Sequence, residues 1–100
     1  MTWVAEAREQ LKQGRQATVR PQGGSMRGRI ESGQLVTIAP ATIADIQPDD
    51  VVFVAWKGNY LLHLAKEVEP DRVLIGNNLG KINGWVAASA ILGKVISVTN

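Results

Sequence analysis

Apolar residues recur along this chain with two periods, and the change between them divides it. In residues 2–13, TWVAEAREQLKQ, the residues Trp3, Val4, Ala7 and Leu11 fall on one stripe at helical spacing, with charges opposite. Thr2 supplies an N-cap and Gly14 a stop signal. The pattern predicts one amphipathic helix whose indole anchors it to the body of the fold. Beyond it the apolar positions alternate or run together. ATVR (17–20), QLVTIAP (34–40), DVVFVAW (50–56), YLLHLAKEV (60–68), RVLIG (72–76) and AILGKVISV (90–98) read as strands. KGN makes a tight turn that pairs 50–56 with 60–68, and NNLGKING reads as a turn-rich loop. Five or six short strands predict a mostly β fold, a small, twisted, partly closed sheet or barrel with one N-terminal helix. Residues 1–100 then form a single domain, with helix 2–13 and a β-rich body over 17–98.

Composition narrows the chemistry. One hundred residues with 45% in the hydrophobic class are enough for one ordinary core. The absence of cysteine removes disulfides, thiolate metal sites and thiol nucleophiles together, and fits a reducing compartment. Net charge is only +2, with the excess early in the chain at Arg8, Lys12, Arg15, Arg20, Arg27 and Arg29. A solvated surface accounts for that cluster. Nucleic acid is disfavoured as a partner, because no aromatic residue interleaves with Arg15, Arg20, Arg27 and Arg29. No apolar run approaches the roughly 20 residues a membrane helix needs. MTWVAEAREQ carries acids and no cleavage pattern of a signal peptide. The expectation is a soluble, cytoplasmic protein without a membrane span. Homo-oligomerisation is left open.

Two residues could carry chemistry. Ser25 follows two glycines in GGSMRGRI (23–30), where the backbone has unusual freedom and neighbouring side chains are small. Most serines so placed are turn residues, and the stretch lacks the Gly-Lys-Ser/Thr ending of a phosphate-binding loop. A nucleophilic serine needs a proton acceptor. His63 is the single histidine, and histidine, titrating near pH 6.5, suits that role without a large shift. Strand alternation puts Leu61, His63 and Ala65 on one face and Tyr60, Leu62, Leu64 and the rival base Lys66 on the other. Taken alone, His63 reads as a core-edge ring satisfied by backbone. With no second histidine or cysteine to join it, no metal site is expected, nor any cofactor.

Read in order, GGSMRGRIESGQLVTIAP, IQPDDVVFVAW, YLLHLAKEV, VLIGNN and ILGKVISV resemble the signal-peptidase and SOS-repressor type of serine peptidase over residues 19–98. That family looks like Gly-x-Ser-Met-x-Pro, two Gly-Asp steps, a strand bearing Lys or His, a Gly-Asp-Asn loop and a terminal Gly-x-Val strand. The resemblance implies Ser25 as nucleophile, with the oxyanion met by backbone groups of the Gly24–Met26 loop. It implies His63 as base, as in the histidine branch of the family, and small residues such as alanine beside the scissile bond. Gly76-Asn77-Asn78 matches the Gly-Asp-Asn loop, so Asn77 or Asn78 becomes the expected orienter of the base. Departures are Asn77 for the loop Asp, Gly28 for Pro, Gln34 for the first Asp, and Asp49 for the second Gly. The expected function is a soluble serine endopeptidase acting on extended peptide segments through a Ser25–His63 dyad. The alternative is a catalytically impaired module that binds peptide or protein at a sheet edge.

Overall fold

The Thr2 hydroxyl accepts a hydrogen bond from the Ala5 amide at 3.2 Å and so starts helix α1, Trp3–Lys12. The helix stops where the Gly14 amide donates to the Leu11 carbonyl and Gly14 turns to a φ of 75°. The computed structural model describes residues 2–22 and 26–100; Gly24 and Ser25 lie outside the described residues. Ala7 and Leu11 are buried beneath α1, and Trp3 and Val4 pack partly buried beside them, as the helical stripe requires.

Seven strands follow among the described residues: β1 (Ala17–Val19), β2 (Leu35–Pro40), β3 (Val51–Trp56), β4 (Asn59–Val68), β5 (Arg72–Gly76), β6 (Ile82–Ala87) and β7 (Ile91–Thr99). They form one antiparallel sheet in the order β1-β2-β7-β3-β4-β5-β6. The last strand is inserted between β2 and β3, so the sheet is assembled around the end of the chain. The sheet does not close, since β1 and β6 stand at opposite ends of that order. The partial closure expected from strand count is therefore not made by hydrogen bonding. β6 is an addition to the expected strands: Arg72 to Gly76 pair with it across a bulge that leaves Asn83 without a register partner.

Core residues divide by face. Val51 and Phe53 of β3 join Leu62 and Leu64 of β4, with Val36, Ile38 and the underside of α1. Val52 and Val54 point the other way and join Ala65, Val73, Ile75 and Val86. β3 is thus covered on both faces, which is why its apolar run is continuous rather than alternating. β3 and β4 are joined by Lys57 and Gly58, whose φ values of 47° and 81° make the two-residue turn that matches strand twist. Among the described residues no helix is long and apolar enough to cross a membrane.

Candidate functional site

His63 sits in β4 opposite Val52, on the face shared with Leu61 and Ala65, as alternation predicts. Only 6% of the residue is exposed. Its Nδ1 lies within hydrogen-bond reach of the Leu62 carbonyl. A carbonyl oxygen can only accept, so the contact puts a proton on Nδ1, and in the neutral ring the lone pair then falls on Nε2. The bland reading of a core-edge ring satisfied by backbone therefore holds. The same contact also fixes the tautomer that a general base requires.

Strand register explains the surroundings. The Ala65 amide donates to the Asp50 carbonyl at 2.8 Å, which fixes the phase of the β3–β4 ladder. Counting back in steps of two, His63, Leu61 and Asn59 direct their backbone groups to β3, whereas Leu64, Leu62 and Tyr60 direct theirs away. On that far side, β5 pairs only with Leu64 to Val68, beginning at the Leu64–Gly76 pair. From Asn59 to His63, β4 has a strand neighbour on one side alone among the described residues. A cavity of about 350 Å³ runs along this half-edge, bordered by Asn59 through His63. Trp3, Val4, Met26 and Ile30 supply apolar walls, and Pro21, Gln22 and Glu31 complete the lining. Gln22 and Met26, the residues on either side of 23–25 in the sequence, both line the cavity that His63 lines.

The asparagines take other partners. Asn77 stands one step beyond the Leu64–Gly76 pair, the register position opposite His63. Its Oδ1 accepts from the Leu79 and Lys81 amides, both at 2.9 Å, and its own amide donates to the Lys81 carbonyl. Its carboxamide oxygen is spent on closing the 77–81 loop. Asn78 Nδ2 donates to the Arg27 carbonyl at 2.7 Å, tying that loop to the turn that begins at Met26. In that turn the Met26 carbonyl accepts from the Arg29 and Ile30 amides. Sequence reading did not anticipate this tie, since it spans 51 positions.

Gly28 packs against the same amide: a Cβ there would lie 2.8 Å from Asn78 Nδ2, and its φ is 96°. Proline, fixed near −65°, cannot take that conformation, so the Gly28 departure belongs to a different turn. Asp49 holds a φ of 75°, a left-handed position suited to the glycine that the resemblance places there. Lys66 stands at a bulge in β4, with its Cε beside Gly76, and does not border the His63 cavity. No cluster of three or more histidine, cysteine or acidic side chains gathers among the described residues. Neither a protein-family model nor a curated protein matches the chain.

Proposed function

We propose that the chain is a soluble serine endopeptidase of the signal-peptidase type, with Ser25 as nucleophile and His63 as base. One observation carries this reading: His63 shares a cavity with Gln22 and Met26, which bracket the glycine–serine stretch. The half-edge of β4 adds the means of holding a substrate. Backbone groups of Tyr60 and Leu62 face the cavity side without a strand partner among the described residues, so an extended peptide completes the ladder there.

The chemistry runs through Nε2. Ser25 Oγ bonds to the substrate carbonyl carbon as its proton passes to Nε2, and the tetrahedral oxyanion is met by backbone N–H groups of the Gly24–Met26 loop. Such a donor is worth about 3–4 kcal/mol in hydrolases. Collapse breaks the C–N bond while Nε2–H returns the proton to the leaving amine. Water, deprotonated at the same nitrogen, then hydrolyses the ester. The Leu62 carbonyl orients the ring in place of a carboxylate. Being a dipole rather than a charge, it stabilises the imidazolium less, so turnover is slow beside that of a full triad.

A serine-directed phosphonate tests this. The wild-type protein is expected to gain one adduct, located at Ser25, and His63→Ala to lower the labelling rate by about 10²–10⁴-fold. No adduct anywhere between roughly pH 6 and 9, where a histidine passes from mostly charged to neutral, contradicts the catalytic reading.

The commitment of Asn77 to its own loop favours a second reading, a binding module that has lost the acid behind its base. Full biological effect from a Ser25→Ala variant selects it.

A further inference from the structure

The groove beside β4 has a composition that the Ser25–His63 chemistry does not require. Trp3 and Val4 of α1 form one wall, facing Met26, Ile30 and Leu62. At about 350 Å³ the cavity lies at the small end of the range, about 300–1,000 Å³, that ligand pockets occupy. That is room for a short extended segment and one large side chain, not for a folded partner. Alanine in such a space leaves the indole and the branched aliphatic side chains unburied, whereas a leucine or phenylalanine covers them.

The wall is firmly held. Trp3 packs at 5.8 Å on the ring of Phe53, which is fully buried, and Phe53 packs at 6.0 Å on Tyr60. Tyr60 also borders a second, open cavity of about 510 Å³, where Arg8 and Lys12 of α1 stand. The Arg8 guanidinium lies 4.2 Å above the Tyr60 ring. Arg8 and Lys12 make no ion pair among the described residues, and the neighbouring Glu9 carboxylate accepts from Gln13 Nε2 at 2.7 Å. Two cations thus stand against one carboxylate at the Tyr60 end of the half-edge, a field that complements an acidic group.

We propose that the segment this groove takes carries a large apolar side chain next to the reacting peptide bond and an acidic residue two positions away. The apolar side chain is read by Trp3 and Val4, and the acid by Arg8 and Lys12. The spacing follows from the strand: Leu62 and Tyr60, the half-edge residues on the α1 face, are two residues apart, about 7 Å of extended chain, and a peptide paired with β4 alternates and advances in step with them. The inference rests on reading the β4 half-edge as a peptide site. It departs from the small residues that the resemblance implies, because the selecting wall comes from α1, outside the stretch that carries that resemblance.

Binding of blocked peptides of about eight residues, long enough to span the half-edge, to a Ser25→Ala variant tests this without hydrolysis. Affinity is read by titration and by the indole N–H signals, the responsive one being Trp3's by its loss in Trp3→Phe. A peptide with leucine at the anchor and aspartate two positions on should bind tightest. Leucine to alanine should weaken it about tenfold or more. Aspartate to lysine should weaken it about threefold to tenfold at low salt and less at high salt. Arg8→Glu, a change at an exposed position, should reverse the aspartate–lysine order.

Equal affinity for the alanine peptide, an order unmoved by Arg8→Glu, or no binding of any peptide overturns the proposal. Phosphonate labelling of the wild type reports separately on catalysis. Labelling without these preferences sinks the specificity alone, and the preferences without labelling sink the catalysis alone.

Discussion

The two halves of β4 are one strand with two fates. At Leu64 and Ala65 it is paired with β3 or its approach on one side and with β5 on the other, and Glu67 and Val68 pair with β5. From Asn59 to His63 it is paired with β3 alone among the described residues, and the cavity lies along its other side. Both halves bury apolar side chains, so burial does not separate them. Backbone pairing does. Where both edges are consumed the strand is structural, and where one is left over the molecule can add a partner strand at little cost in order.

Core truncation should break the first half hardest. Ile75 is fully enclosed on β5, behind the doubly paired segment. Ile75→Ala is expected to cost about 4 kcal/mol in urea unfolding, and Leu62→Ala, beside an existing cavity, about 2–3 kcal/mol. Equal losses would erase the distinction between the halves. Gly76 comes next. A Cβ there would run into the Lys81 carbonyl oxygen, so Gly76→Ala should cost about 1–3 kcal/mol by forcing the 77–81 loop off the strand end.

Hydrogen exchange compares the halves without mutation. The Leu64 amide should exchange at least about tenfold more slowly than those of Leu62 and Tyr60, and a bound peptide should slow the latter two. A smaller change tests the hairpin that carries the open half. Lys57 holds a φ of 47° at the hairpin turn, a conformation asparagine accepts more readily, so Lys57→Asn should stabilise by about 0.5 kcal/mol in the same unfolding assay.

Legibility in the sequence followed the range of the interactions. α1 was readable to within a residue because its stripe, its Thr2 cap and its Gly14 stop are local signals. The β3–β4 hairpin was readable for the same reason. β6 was not: Asn83 and Gly84 are poor strand formers. The strand exists because β5 offers it an edge and because Trp85 packs under the Arg72 guanidinium at 3.9 Å. Nor could any local pattern show β7 sliding between β2 and β3.

At the site, alternation gave the face of His63, and its neighbours could be read from one strand. The Leu62 carbonyl as its orienter was hidden, since backbone acceptors leave no mark in side-chain identity. Asn77 as a loop closer had a signal in NNLGK, a turn composition that family resemblance overrode.

The central claim is that Ser25 and His63 act on the same peptide bond at the open half of β4. A crystal structure of the phosphonate-treated protein tests it most directly. The account predicts phosphorus bonded to Ser25 Oγ, with His63 Nε2 within about 2.6–3.2 Å of Oγ or of the leaving-group position. An unreacted Ser25 on a different surface from the His63 cavity would contradict it.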